Sequence, residues 1–480
     1  MRITIAGAGI SGLSLAYAIQ EKLEAAGKSA EIFLLEADGR VGGKIRTHHE
    51  DGYIMEWGPN GFLNNKPDTL ALTRKLGIEE LLLPSNDAAR KRYIYSGGRL
   101  NLLSPAGFVL GGLLSWRGKI RILKEYGIPR RTDASDESLA DFVRRRLGRE
   151  ALDRLIGPMA MGVYGGDPER MALKSCFPTI YDLEQKYGGL FKGMLGKMKE
   201  KKQAGGGIKK AGGGIKKAGG GKVSGPAGPG GVLTTFYGGL DVLTDALGKA
   251  FTGKLLLNAP VREVRRVGAA GADEKFIVSA GGLDAPLETE IFITAAPAHA
   301  AKDFLAALDP QLTETLSEIE YVPMSVVGMG FKKTELNSEL DGFGFLVAMD
   351  EARKLIGCLW DSSVFTDRAP AGRASIRAML GGGKDFSTPF LPDGQLLELT
   401  LEELRITMAL KSRPELTRVF RHERAIPMYT LGHSERLNKL DKGEDKYRGL
   451  FFAGNAYRGV GLNDCVKDAY SVAEKILRLA

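Results

Sequence analysis

The first thirty-six residues restrict the fold of this chain more than any other stretch. A short apolar strand, residues 2–6, runs directly into a G-x-G-x-x-G motif, and an amphipathic helical pattern follows the motif. The first glycine of such a motif makes a tight turn, the second lets the backbone approach a pyrophosphate, and the third lets helix and strand pack closely. A second apolar strand ends on Glu36, whose carboxylate can accept both hydrogen bonds from a ribose diol. The pattern predicts a dinucleotide site at Gly7, Ala8, Gly9, Ile10, Ser11, Gly12 and Glu36.

A second glycine pair, Gly42-Gly43, follows the acidic residue and has basic residues on both sides. Glycines allow another close approach of the backbone to an anion. The segment resembles the R-x-G-G-[RK]-x-x-[ST] motif of the flavin amine oxidase superfamily, and residues 57–60 are similar to a segment that lies against the flavin in that superfamily. The resemblance implies FAD rather than NAD. It adds these cofactor-binding residues: Arg40, Gly42, Gly43, Lys44, Trp57, Gly58, Pro59 and Asn60.

The end of the chain returns to the cofactor. An apolar strand, residues 449–455, ends on glycine, and residues 459–464 begin a terminal helix. A helix N-terminus aimed at a flavin ring stabilises the negative charge that develops on reduction. The strands of residues 255–279 resemble the β-meander of FAD-binding domains of this type. These segments add Val261, Gly454, Val460, Gly461 and Leu462 to the predicted cofactor site.

The net charge of +9 is concentrated in one segment. Residues 197–222 contain nine lysines and one glutamate, so the rest of the chain carries a net charge of only +1. No recognition motif for bases accompanies the lysines, so we expect no nucleic-acid partner. Within residues 203–231 the glycine triplets are costly to order and the lysines repel one another, which predicts a flexible insert.

The cysteines, the histidines and the apolar runs indicate where the protein resides and whether it binds a metal. Three cysteines lie far apart, which indicates a reduced, cytoplasmic protein without a disulfide framework. None of the five histidines has metal-ligand spacing, so we assign no metal. No apolar run is long enough to span a membrane. Residues 102–116 come nearest, and they fit either buried core or a peripheral contact with the inner face of the cell membrane.

We therefore expect an α/β protein with mixed α+β character. A Rossmann-like FAD-binding domain comprises residues 1–75, 232–300 and 416–480, and an inserted antiparallel-sheet substrate domain comprises residues 301–415. Residues 76–202 form a helical domain that can face a membrane, and residues 203–231 form the insert. In the helical domain, Ser135 or Asp136 is the expected cap of a helix, and Arg144-Arg145-Arg146 is expected on a solvated face.

Further segments resemble one family over nearly the whole chain: the oxygen-dependent protoporphyrinogen oxidases, with the related bacterial coproporphyrinogen III oxidases. The FAD motifs alone indicate only the superfamily. The more specific stretches are Gly-Gly-Asp-Pro, Gly-Phe-Gly-Phe-Leu and Gly-Val-Gly-Leu-Asn-Asp-Cys. The residues that carry the resemblance are 7–12, 42–43, 56–60, 91–93, 162–168, 176–178, 342–346, 365–370, 426–427 and 459–465.

The resemblance implies a flavin oxidase that aromatises a porphyrinogen in successive two-electron steps. Hydride leaves the macrocycle for flavin N5, and O2 reoxidises the flavin to give hydrogen peroxide. The cofactor carries this chemistry, so no side chain is assigned as catalytic. Arg92 matches a propionate-binding arginine, Gly162 a position whose backbone lies against the substrate, and three apolar residues match positions that sandwich the ring: Phe343, Leu346 and Phe365.

Two other functions stay open. One is another enzyme of the superfamily, an amine oxidase or a carotenoid desaturase. The other is a non-catalytic flavoprotein that binds a porphyrin. The residues also leave open whether proto- or coproporphyrinogen is the substrate, and whether the protein is a homodimer.

Overall fold

The computed structural model describes residues 1–86, 90–133, 135–204, 231–268 and 274–479. The predicted flexible insert therefore lies almost wholly outside the described residues. The strands are β1 (Arg2–Ala6), β2 (Glu31–Leu35), β3 (Thr47–Glu50), β4 (Tyr53–Glu56), β5 (Phe62–Leu63), β6 (Leu82–Pro84), β7 (Tyr93–Ser96), β8 (Arg99–Leu102), β9 (Leu233–Phe236), β10 (Lys254–Leu256), β11 (Val261–Val267), β12 (Lys275–Ala280), β13 (Leu287–Thr289), β14 (Ile291–Thr294), β15 (Tyr321–Lys332), β16 (Gly344–Val347), β17 (Leu355–Leu359), β18 (Arg373–Gly381), β19 (Leu416–Pro427) and β20 (Leu450–Phe452).

The helices are α1 (Ile10–Ala25), α2 (Pro67–Lys75), α3 (Pro105–Leu110), α4 (Trp116–Leu123), α5 (Leu139–Arg146), α6 (Arg149–Ala151), α7 (Gly157–Tyr164), α8 (Leu173–Cys176), α9 (Pro178–Tyr187), α10 (Leu190–Ala204), α11 (Asp241–Ala250), α12 (Ala298–Phe304), α13 (Pro310–Ser317), α14 (Asp361–Val364), α15 (Asp393–Met408), α16 (His433–Lys446) and α17 (Leu462–Leu479). None of the described helices is both long and apolar enough to cross a membrane.

A five-stranded parallel sheet, in the order β10-β2-β1-β14-β20, forms the nucleotide-binding core. Its strands are nearly continuous runs of apolar residues because both faces are covered. Helices α1, α11 and α17 pack on one face, and the β11–β13 meander packs on the other with α12, α13 and α16. The first and last helices of the chain thus lie side by side on the sheet, which places both predicted ends of the cofactor site at one sheet edge.

A seven-stranded sheet, in the order β19-β15-β18-β17-β16-β7-β8, forms the second body of the fold. All neighbouring strands are antiparallel except β16 and β7. Helix α15 covers one face through Leu396, Leu404 and Met408. The opposite face carries Val326 and Phe420, which pack against Met55 of β4 and Trp57 of the segment that follows β4.

The seven-stranded sheet includes strands from three of the predicted domains, so two of the predicted domain boundaries cut through it. The β7–β8 hairpin was assigned to the helical domain, but β7 pairs in parallel with β16 and extends the sheet by two strands. Strand β19 was assigned to the FAD-binding domain, but it pairs antiparallel with β15 along most of its length. Both are pairings between residues far apart in sequence, which local patterns do not specify.

Helix α5 corrects two expectations about the helical region. Its N-cap is Ser138, whose hydroxyl accepts a hydrogen bond from the Asp141 amide at 3.0 Å, rather than Ser135 or Asp136. Arg146 is fully buried, not solvated. Its guanidinium donates to Glu125 at 2.9 Å and to Glu184, because the helix turns this residue inward while Arg144 remains partly exposed.

Candidate functional site

The first glycine motif joins β1 to α1 with little space to spare. Gly7 has a φ of +100°, and its amide donates to the Leu35 carbonyl at 2.7 Å. A Cβ added at Gly12 would lie 1.8 Å from the Gly7 carbonyl oxygen, so helix and strand can approach only with glycine there. A Cβ added at Gly9 would meet only the Gly43 Cα, at 4.0 Å. The space beside Gly9 is therefore open toward the site, as a pyrophosphate requires.

The second glycine pair packs directly on the first motif. Gly42 donates its amide to the Ala8 carbonyl at 2.8 Å and forms a parallel bridge with Gly9. A Cβ on Gly43 would lie 3.2 Å from the Gly9 Cα. The two motifs, thirty-five residues apart when counted from Gly7 to Gly42, thus form one continuous loop surface of backbone groups.

Glu36 lies at the tip of β2, as predicted, and its carboxylate ties the loop to the sheet. One oxygen accepts from the Ala8 amide at 2.7 Å, and the other accepts from the Asp38 amide at 2.9 Å. A carboxylate has further lone pairs, so a ribose diol can bind to the same group. Val261 begins β11 nearby, where the Ala259 amide donates to the Glu36 carbonyl at 2.7 Å.

The two basic residues beside the glycine pair have different surroundings. Arg40 donates to the carbonyls of Val41, Ile45 and Gly43 at 2.9, 3.1 and 2.6 Å, so its guanidinium braces its own loop. Burial lowers the pKa of Arg40. Lys44 reaches the Ala425 carbonyl on β19, and burial lowers the pKa of Lys44 to about 8. Lys44 thus extends from the nucleotide-binding core to the second sheet.

Side chains of the second sheet hold the segment that follows β4 in place. Arg377 on β18 is buried and donates to the carbonyls of Glu56 and Gly58 at 3.0 and 2.9 Å. The Trp57 ring is stacked on Phe420, with ring centroids 4.9 Å apart. Sequence analysis did not identify Arg377, although an arginine within an otherwise apolar strand signals a specific buried partner.

The same segment tests whether FAD fits. Trp57 Nε1 and Asn60 Nδ2 are buried, and neither has a hydrogen-bond partner within the described residues. Buried donors are normally paired, so these two indicate a group that accepts hydrogen bonds here. Together with the open space beside Gly9, they fit a cofactor with phosphate and carbonyl oxygens. The residues that would hold FAD are those of the two glycine motifs, Glu36 and residues 57–60.

The terminal segment completes this surface. Gly454 follows β20, and a Cβ there would lie 3.3 Å from the Ser11 hydroxyl oxygen, so the segment abuts the first turn of α1. In the part of the chain that the structure describes, the amides of Val460, Gly461 and Leu462 make no hydrogen bond. They precede and begin α17, where the helix dipole is positive. The three amides can therefore stabilise negative charge in the site.

Arg92 immediately precedes β7 and is half-buried, with its guanidinium 5.0 Å from the centre of the Phe343 ring. Burial lowers the pKa of Arg92. Its neighbour Lys91 pairs with Asp341 at 2.5 Å, but Arg92 forms no ion pair with any described carboxylate. A half-buried guanidinium stacked on an aromatic ring is suited to bind a carboxylate on a flat ligand.

The other predicted substrate residues lie along β16 and beside it. Leu346 is half-buried and contacts Gly162 on α7: a Cβ added at Gly162 would lie 2.7 Å from a Leu346 methyl. Phe365 is 1% exposed, so it presents almost no surface to a ligand in this structure. It packs with Phe343 and Val364 and lies 5.1 Å from the Arg368 guanidinium. Phe365 therefore supports Phe343 from behind.

Comparisons with known proteins agree with this arrangement. A family model described as flavin containing amine oxidoreductase matches residues 10–477. The chain is 30% identical over 476 residues to the coproporphyrinogen III oxidase of Bacillus subtilis, covering 97% of this chain and 95% of the relative. It is 30% identical over 488 residues to the chloroplastic protoporphyrinogen oxidase 1 of Arabidopsis thaliana, covering 98% and 87%.

Among solved structures, a protein from Exiguobacterium sp. 255-15 matches with a TM-score of 0.81 and 24% identity, covering 100% of this chain and 99% of that chain. This match establishes a shared fold. The predicted fold class and the predicted FAD cofactor are confirmed. With a family match that extends from the first turn of α1 to the end of α17, the chain belongs to the flavin containing amine oxidoreductases.

Proposed function

We propose that this protein oxidises a porphyrinogen to a porphyrin with bound FAD. Bound FAD supplies the redox chemistry, because it accepts hydride from carbon and passes the electrons to an acceptor. The observation that carries the proposal is Arg92, a half-buried cation that stacks on Phe343 and has no described carboxylate partner. A porphyrinogen offers the matching group, a propionate on a large apolar macrocycle. The relatives named as coproporphyrinogen III oxidase and protoporphyrinogen oxidase support this assignment.

Each proposed substrate residue has a distinct task. Arg92 binds a propionate and fixes the macrocycle at one edge. Phe343 and Leu346, both half-buried around β16, offer apolar surface to the ring, and Phe365 keeps Phe343 in place. Gly162 lets α7 approach β16 closely, because a Cβ there would lie 2.7 Å from a Leu346 methyl, which would have to move.

We propose O2 as the electron acceptor and hydrogen peroxide as the second product, since the resemblance is to oxygen-dependent oxidases. The test is to supply the FAD-loaded protein with coproporphyrinogen III and, separately, with protoporphyrinogen IX. Product porphyrin is followed by fluorescence, and peroxide is measured in the same samples. We expect porphyrin and peroxide from at least one substrate, and the faster substrate identifies the preference. No porphyrin from either substrate would refute the proposal.

We also propose peripheral contact with a membrane through the helical region. Leu110, Trp116 and Leu123 are 84%, 71% and 69% exposed at the ends of α3 and α4, and Lys119 stacks over the Trp116 ring. Apolar side chains beside basic residues suit the interface of an anionic bilayer. Replacing all three apolar residues by serine should abolish co-sedimentation with anionic vesicles and leave turnover in detergent unchanged. Equal vesicle binding by the variant and the wild type would refute a membrane contact through these three residues.

A further inference from the structure

Residues 453–461 connect β20 to α17, and residues 455–459 form a short loop within this connection. It lies between two parts of the proposed cofactor site, because Gly454 abuts Ser11 and the unpaired amides of Val460, Gly461 and Leu462 come directly after it. The path of this loop therefore decides where those three amides point.

One side chain closes the loop. The Tyr429 hydroxyl donates to the Asn455 carbonyl at 2.6 Å and accepts from the Gly459 amide at 2.8 Å. Both ends of the loop are thus tied to a single oxygen atom. Gly459 has a φ of +111°, and a Cβ there would lie 2.6 Å from the Asp464 Cβ, so the loop can take this path only with glycine at this position.

Tyr429 is itself held firmly. It is 2% exposed, and its ring is stacked on His433 with centroids 4.0 Å apart and an interplanar angle of 12°. His433 Nε2 lies 3.1 Å from the Tyr457 carbonyl and must donate to it, because a carbonyl can only accept. The Tyr429 carbonyl accepts from the Ala172 amide at 2.8 Å. The tyrosine thus connects the helical region to the loop.

We propose that Tyr429 is a positioning residue for the flavin: its hydroxyl fixes the loop so that the amides before α17 stabilise the negative charge of reduced FAD. This inference rests on FAD occupying the site described above. It does not depend on the identity of the substrate. Reduced flavin carries more negative charge near these amides than oxidised flavin does, so a misplaced loop weakens binding of the reduced form more.

The test compares Tyr429→Phe with Tyr457→Phe. Tyr457 is a matched control because it lies in the same loop and is buried, but its ring packs against Phe452 in the core on the meander side of the parallel sheet, and its hydroxyl makes no described hydrogen bond to the loop. The measurements are the affinity for oxidised FAD and the midpoint potential of the bound flavin, determined by chemical reduction without any porphyrinogen. A negative result in the porphyrinogen assay would therefore not affect the interpretation of these measurements.

For Tyr429→Phe we expect reduced FAD to lose about tenfold more affinity than oxidised FAD, which lowers the midpoint potential by about 30 mV for a two-electron couple. Tyr457→Phe should keep the wild-type potential. Equal losses of affinity for both oxidation states would overturn the proposal, because the hydroxyl would then only stabilise the loop. An unchanged potential with unchanged affinity would also overturn it.

If Tyr429→Phe does not fold, difluorotyrosine in place of Tyr429 tests the same bond. It retains the ring and the hydroxyl but changes the acidity of the O–H. Fluorine makes the hydroxyl oxygen a weaker acceptor, so the bond from the Gly459 amide should weaken and the midpoint potential should fall, by less than in Tyr429→Phe. The same replacement of Tyr457 should leave the potential unchanged, and an unchanged potential at Tyr429 would overturn the proposal. A potential that moves equally at both positions would contradict the positioning role.

Discussion

Arg92 has the features of a ligand-binding cation: it is half-buried, it stacks on Phe343, and it has no described carboxylate partner. We expect Arg92→Ala to raise KM for the porphyrinogen about tenfold or more with a smaller fall in kcat, because one charge-assisted contact contributes about 1.5–3 kcal/mol. Arg92→Lys should restore only part of the affinity, since an ammonium cannot make a bidentate contact.

The matched control is Lys91→Ala. Lys91 is the adjacent cation, but it is exposed and pairs with Asp341, so its loss should leave KM near the wild-type value. FAD content and the melting temperature should stay normal in all three variants. An unchanged KM in Arg92→Ala would show that Arg92 lies outside the substrate site. Normal KM with a large loss of stability would show a structural role instead.

Substitutions at two glycines of the first motif should have different effects, one on FAD binding and one on stability. Gly9→Val should abolish FAD binding while the FAD-free protein stays folded, because its Cβ position is open toward the cofactor. Gly12→Ala should lower the stability of the FAD-free protein itself, because the added Cβ would collide with the Gly7 carbonyl at 1.8 Å. FAD content and thermal melts of the two variants check this. FAD retention by Gly9→Val would contradict the pyrophosphate assignment.

At the scale of residues, the sequence indicated backbone chemistry better than side-chain partners. The glycine motifs and Glu36 were recognisable because their roles depend on local conformation and spacing. The role of Arg40 was not recognisable, because its guanidinium donates to backbone carbonyls of its own loop, and any side chain sequence leaves these acceptors unmarked. An arginine within an apolar strand marks Arg377 as buried, but the segment that it binds lies far away in sequence. No local pattern marks Tyr429.

Helix α5 carries three consecutive arginines that contribute unequally to the stability of the protein. Arg146 is buried between Glu125 and Glu184, whereas Arg144 is partly exposed and pairs with Asp141 and Glu169. Removing Arg146 leaves the buried Glu125 carboxylate without its cation, although Glu184 keeps its pair with Arg145, so Arg146→Ala should lower the free energy of unfolding by about 3–5 kcal/mol. Arg144→Ala should change it by less than about 1 kcal/mol.

Chemical denaturation of the two variants measures this difference. Glu125 also accepts from the Leu190 and Phe191 amides at the start of α10, so the loss of Arg146 should loosen that helix as well. Hydrogen exchange at α10 should therefore rise in Arg146→Ala only. Equal stability of the two variants would mean that the buried network contributes nothing beyond the surface pair.

The strands and helices themselves were largely predictable from apolar periodicity and turn residues. In the β7–β8 hairpin, for example, the Gly97-Gly98 pair between two strand segments indicates a tight turn, and both glycines have positive φ. The cap of α5 was misplaced by two or three residues, because several neighbouring residues can serve as caps and only Ser138 has the right geometry. Helix ends are set by such single contacts.

At the scale of the molecule, a buried charge network joins the nucleotide-binding core to the second sheet. Glu56 accepts from the Thr47 hydroxyl at 2.8 Å and from the Leu240 amide at 2.9 Å, and Arg368 lies 3.4 Å away. Burial raises the pKa of Glu56 from 4.5 to about 7, although Arg368 acts in the opposite direction. The folded protein therefore holds a proton on Glu56 that the unfolded chain has already released.

The consequence for stability follows from proton linkage. Between about pH 4.5 and pH 7 the folded state binds more protons at Glu56, so the stability that Glu56 contributes falls as the pH rises. The fall should approach about 1.4 kcal/mol per pH unit. Glu56→Gln should remove this slope, and denaturation across that pH range measures it. The same slope in the variant and the wild type would show that Glu56 does not titrate there.

The overall architecture was predictable because a dinucleotide motif at the start and a glycine-bounded helix at the end both belong to one parallel sheet. The boundaries of the second sheet were not, since β7, β8 and β19 join it through pairings between residues far apart in the chain. The roles of the individual site residues stay predictions.

The central claim is that a porphyrinogen reduces the flavin of this protein. Mixing the FAD-loaded protein with a porphyrinogen in the absence of oxygen tests it most directly, with flavin absorbance and porphyrin fluorescence followed together. We expect the yellow absorbance to fade as porphyrin fluorescence rises, and readmitted oxygen to restore the oxidised flavin. A flavin that stays oxidised with both porphyrinogens but is bleached by an amine would contradict the account.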